Sequence, residues 1–160
     1  MGHRNRVRLG QGGAALAEMA IMLPFLMLLL LGVIDFCRVF YAAVAVTQAA
    51  RAGTQYGARN ATIGDTALYN GMIQAAANVV QGYGLTLAVP PVPQRYCLCP
   101  GGTPPTCPAA GGSACPPLGC PTDYQIYICT STSYTFSTFA PYPGIPNTVN
   151  LTRAAVMRVQ

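Results

Sequence analysis

Sixteen consecutive residues without a charge, MAIMLPFLMLLLLGVI at positions 19–34, limit what this chain can be more than any other feature. Ten of the sixteen are Leu, Ile, Val or Phe, and such a set contributes roughly −3 to −6 kcal/mol to membrane insertion. A helix over residues 14–37 would be about 35 Å long at about 1.5 Å per residue. That length crosses a hydrocarbon core about 30 Å thick. Glu18 and Asp35 bracket the run, so each carboxylate falls near a membrane edge. There it costs less than the roughly 3 kcal/mol of a charge at the bilayer centre. Insertion is favoured.

The flanks set the expected direction. Arg4, Arg6 and Arg8 precede the run, which by the positive-inside rule holds the N-terminus in the cytoplasm and sends the rest outward. The chain carries nine basic residues, all Arg, against four acidic ones. Because the arginine cluster is terminal and lies ahead of an apolar run, the surplus reads as a topology signal. A nucleic-acid binder would show a basic patch on a folded face, so nucleic acid is not expected as a partner. A removable secretory signal fits less well, because the run is long for one and the nearest Ala-x-Ala, at Ala43 and Ala45, lies beyond Asp35 and Arg38. Charged residues make up only 8% of the chain against roughly 25% in a soluble domain, as expected if part of the surface faces lipid or protein.

Three regions follow: a polar leader at 1–13, a long helix at 14–59 whose first part, about 14–37, spans the membrane, and an outer α+β domain at 60–160. Pro24 is expected to kink the helix. Asp35 and Arg38, three apart, can pair across its outer boundary. Beyond Arg38 the helix is rich in alanine, and Gln48, Arg51, Gln55 and Arg59 recur at three- and four-residue spacing on one polar face. Ala45, Ala49, Gly53 and Gly57 form a small-residue ridge at spacing four, suited to close helix packing. Residues 60–64 break the helix, with Thr62 or Asp65 able to cap a second helix at about 66–81. A short strand is expected at 85–89. The proline- and cysteine-rich stretch 90–121 is expected to form a loop without regular structure. Residues 124–139 give the clearest strand signal, with Tyr124, Ile126 and Ile128 on one face and Tyr127 and Cys129 on the other. A turn around 141–146 leads to a last strand at 149–159.

Seven cysteines divide six to one. Cys97, Cys99, Cys107, Cys115, Cys120 and Cys129 lie in the outer domain, and Cys37 ends the membrane helix. An even set beyond a membrane span reads as three disulfides in an oxidising compartment. Spacing does not choose among the fifteen pairings, although a direct Cys97–Cys99 bridge would be strained. Zinc is disfavoured: there is no Cys-x2-Cys, and the only histidine, His3, is in the leader.

Gly13, Glu18 five residues later, Pro24 inside the run and the Gly-Val-Ile-Asp-Phe-x-Arg exit at 32–38 carry a resemblance. With the stretch 48–58, they are similar to the TadE-like minor pilins, or pseudopilins, of tight-adherence (Flp-type) pilus systems. The resemblance covers roughly residues 10–60. Met19 departs from it, since the family often has an aromatic residue after the Glu, and the cysteine-rich insert is not carried over. The resemblance implies cleavage by a prepilin peptidase after Gly13, leaving Ala14 as the new N-terminus and Glu18 as its fifth residue. It also implies other pilins and the inner-membrane assembly platform as partners, with the outer domain periplasmic. In such an assembly Glu18 could pair with the α-amine of a neighbouring subunit, since a buried charge is tolerated when paired and costly alone.

No cofactor is expected and no enzyme. The outer domain holds two carboxylates, Asp65 and Asp123, with no histidine and no nucleophile or phosphate-loop motif. Two other functions fit the residues: a membrane-anchored cysteine-rich binding module outside any pilus, and a type II secretion pseudopilin. Loss of the leader would separate the first from a pilin.

Overall fold

The computed structural model describes residues 12–103, 106–107, 119–120, 122–139 and 146–159. Two helices, α1 (Gly12–Arg59) and α2 (Asp65–Gly82), precede three strands, β1 (Val92–Leu98), β2 (Gln125–Ser137) and β3 (Thr148–Arg158). The chain divides into two compact units, Met1–Cys37 and Arg38–Gln160. In the first, α1 runs through Pro24 as a helix; a helix can tolerate the one hydrogen bond a proline removes.

In the second unit, antiparallel strands in the order β1-β2-β3 form one sheet with β2 at its centre. Alternation along β2 sends successive side chains to opposite faces. Ile126 and Ile128 meet Leu68 and Met72 of α2 and Tyr56 of α1. Farther along, Phe136 meets Ala42 of α1 and Leu151 of β3. On the other face Tyr127 and Cys129 pack with Tyr96, Leu98 and Cys107. The central strand is therefore covered on both faces, by helices on one and, around Tyr127 and Cys129, by Tyr96, Leu98 and Cys107 on the other.

The small residues of α1 make the helix side possible. Ala45, Ala49, Gly53 and Gly57 are all buried. A Cβ on Gly53 would lie 2.9 Å from Thr130 Cγ2 and 3.0 Å from the Met72 carbonyl oxygen, and one on Gly57 would lie 2.5 Å from Ile128 Cγ2. The ridge thus seats α1 against α2 and β2 of its own chain. Gln48, Arg51, Gln55 and Arg59 are exposed. The buried Thr54 hydroxyl has two acceptors for its one proton, the Ala50 carbonyl at 2.9 Å and the Ala155 carbonyl of β3 at 3.1 Å.

Three expectations need correction. Residues 85–89 form no strand. Gly84, at φ +71°, turns the chain back, the Leu85 amide donates to the Val80 carbonyl, and Leu85 and Leu87 cover Ala49, Ala76 and Val80. Burial against the two helices decides their path. The strand comes later, at Val92–Leu98, inside the stretch expected to have no regular element. Pro93 is compatible with it because β1 is an edge strand and the proline is its second residue. The third concerns the start of α2: its N-cap is Gly64, with no side-chain cap, and Asp65 is already in the first turn. The Asp65 carboxylate stabilises that end of the helix through the dipole and forms an ion pair with Arg95 of β1.

Candidate functional site

The sequence directs attention to the N-terminal part of α1, and the fold gives that part a distinct character. From residue 15 to residue 34 no side chain is buried. Nine of the ten large aliphatic or phenyl side chains of the uncharged run are exposed, Ile21 at 77% and Phe25 at 65% among them. They point all round the helix, so no single stripe could be hidden by one neighbour. Leaving nine such groups in water forgoes on the order of 10–30 kcal/mol of burial, as much as or more than the 5–15 kcal/mol that holds a typical domain together. This surface requires lipid or other helices around it. The helix is long and apolar enough to cross a membrane once. Glu18 and Asp35 are 17 residues apart, about 25 Å along the axis, which places both near the boundaries of a 30 Å hydrocarbon layer.

At the start of α1, Gly13 is exposed and nothing lies within 4 Å of the position a Cβ would take. Ala14 is helical, and Glu18 is four residues on and exposed. Positions four apart share a helix face, about 6 Å apart along the axis. An amine at Ala14 and the Glu18 carboxylate would therefore lie one turn apart on one side of the helix.

The TadE-like protein family model matches residues 13–55. Over these residues of its N-terminal helix the chain is similar to TadE-like proteins. No curated protein and no solved structure matches it. The match starts at Gly13 and takes in Glu18, the apolar run, and Ala45, Ala49 and Gly53 of the ridge; Gly57, α2 and the sheet lie beyond it. What is TadE-like in this chain is thus the membrane helix together with the part of α1 on which the outer unit is built.

Beyond the match, the second unit is held by covalent and ionic links. Cys99 is bonded to Cys120 and Cys107 to Cys129. Cys97 is also disulfide-bonded, while Cys115 lies outside the described residues, as does most of the expected turn at 141–146. Cys37 is a free, exposed thiol on α1. Sequence reasoning missed Arg95. It donates from Nη1 to the Ala61 carbonyl at 3.1 Å while pairing with Asp65, and so ties β1 to the α1–α2 connection. Residues 92–98 (VPQRYCL) carry one charge and no polar–apolar alternation, so no local periodicity marked Arg95 as a strand residue. Burial raises the pKa of the neighbouring Tyr69 hydroxyl, and the Asp65 charge adds to the effect. Among the described residues no group of three or more His, Cys, Asp or Glu could hold a metal.

Proposed function

We propose that this TadE-like chain is a minor pilin, or pseudopilin, of a tight-adherence (Flp-type) pilus system, with a structural rather than catalytic role. The observation that carries the reading is that the family match, residues 13–55, takes in the whole exposed apolar run of α1 at 19–34. On this reading a prepilin peptidase cuts after Gly13, the arginine-bearing leader stays cytoplasmic, and the outer unit faces the periplasm. Other pilins and the inner-membrane assembly platform are then its neighbours.

Intact-mass measurement of the membrane-bound protein tests it. Loss of residues 1–13 is the expected result in a strain with an active prepilin peptidase. A persistent Met1 or Gly2 terminus there would defeat the pilin reading and leave a simple membrane anchor.

Glu18 carries a second expectation. After cleavage its carboxylate would enter the span of an assembling subunit, where pairing with a neighbour's α-amine offsets the cost of burying it. Glu18→Ala should then leave membrane insertion intact, since removing a charge from the span makes insertion easier, and should lower pilus formation and attachment. Wild-type numbers of pili in that variant would reduce Glu18 to a marker of the membrane edge.

A further inference from the structure

The outer unit has a charge surplus that its own contacts do not absorb. Residues 38–160 contain six arginines and two aspartates. Asp65 is engaged by Arg95, and Arg38 lies over the Phe136 ring at 5.2 Å. Arg51 of α1 and Arg153 of β3 are exposed, and neither meets a carboxylate among the described residues; Arg153 Nη1 donates only to the Thr152 carbonyl.

These two arginines lie along one trough between α1 and β3. A hollow of about 370 Å³ has Arg51 and Gln55 on one wall and residues 154–157 of β3 on the other. A second, of about 230 Å³, adjoins it, with Arg153 facing Thr47 and Gln48 of α1. Its β3 side is partly apolar: Met157, paired with Ile128 on the helix face of the sheet, is 41% exposed. Four steps of β3, from 153 to 157, cover about 13 Å, the length of roughly four residues of extended chain. β3 is an edge strand with eight of its eleven residues exposed.

We propose that this trough docks an acidic, extended segment of a different protein chain, its carboxylates on Arg51 and Arg153 and an apolar side chain on Met157. Charge complementarity selects that occupant. A second copy of this chain would bring the same basic surplus, and like charges on an edge strand oppose pairing of two such edges. The inference takes from the pilus reading only that the outer unit works among other proteins.

The test uses the full chain in nanodiscs of zwitterionic lipid, at low salt. The probe is a fluorescein-labelled, amidated peptide alternating glutamate with valine or threonine, compared with its glutamine counterpart by anisotropy. The glutamate peptide should saturate. Affinity should fall at least tenfold for the glutamine peptide, and tenfold for Arg51→Gln/Arg153→Gln, whose Tm should match the parent because both side chains are exposed. Absence of saturable binding up to millimolar peptide overturns the proposal, as does equal binding of the two peptides or an unaffected variant. Binding abolished by anionic lipid in the disc would assign the trough to headgroups. Self-association removed by the double substitution would assign it to a second copy. None of these outcomes depends on leader cleavage, so this inference and the pilus reading fail separately.

Discussion

Gly53→Ala should destabilise the outer unit by about 1–3 kcal/mol, the usual range for forcing a methyl into a filled core. Alanine ordinarily favours a helix over glycine by about 0.5–1 kcal/mol, so the sign is a contest between propensity and space. Space wins here. The new Cβ would meet Thr130 Cγ2 at 2.9 Å and the Met72 carbonyl oxygen at 3.0 Å. The first belongs to a β-branched side chain on the central strand and the second to the backbone of α2, so neither can swing aside. Gly82→Ala is the matched control, with nothing within 4 Å of its Cβ position, and should be neutral or slightly stabilising. Thermal melts of the two variants decide it, since 1 kcal/mol moves the Tm of a domain of about 60–100 residues by about 4–8 °C. A Gly53→Ala melt equal to or above the parent's would show that α1 does not approach α2 and β2 this closely.

Removing the Cys107–Cys129 link should have a comparable or larger effect. It closes a separation of 22 residues, and a bridge of this kind stabilises by about 2–4 kcal/mol, largely through the unfolded chain in the usual model. Its position adds to that. Cys129 is buried beside Tyr96 and Tyr127, so the link holds Cys107 against the second face of the sheet. The double change Cys107→Ser/Cys129→Ala should lower the urea midpoint by the equivalent of about 2–4 kcal/mol and raise tyrosine exposure. Mass mapping of the parent after thiol blocking should return Cys99–Cys120 and Cys107–Cys129, with Cys37 as its sole blocked thiol. A variant as stable as the parent would mean that side-chain packing alone holds position 107 against the sheet.

How much of this was legible in the sequence depends on the range of the interaction. The long helix, the second helix to within a residue at each end, and the faces of β2 follow from periodicity that each segment carries itself. β1 does not. Which face Tyr96 and Cys97 each take is settled by the register, which sets Tyr96 against Tyr127 and Cys97 against Ile126, and that pairing joins segments about thirty residues apart. Leu85 and Leu87 read as strand residues by composition, yet burial against Ala49 and Val80 settles their path. Cysteine partners are also non-local: Cys129 sits opposite Gln94 in the sheet, a relation no spacing rule contains. The N-terminal candidates, Gly13 and Glu18, stand out in the sequence as a pattern whose role the intact-mass and Glu18→Ala experiments test. The small ridge was legible as a site of close packing, though not its partners, α2 and β2.

One continuous helix serves two units, and this fixes where the chain can be cut. Ala42, Ala45, Val46, Ala49 and Ala50 of α1 are buried, and with the exception of Ala42 each is 1% exposed or less. A fragment starting at Asn60 would therefore discard one wall of its own core along with the membrane anchor. A fragment starting at Arg38 keeps the wall and sheds the apolar run. The same boundary governs inheritance: a gene fusion can give this outer unit a new membrane anchor and keep its core only if the joint falls ahead of Arg38.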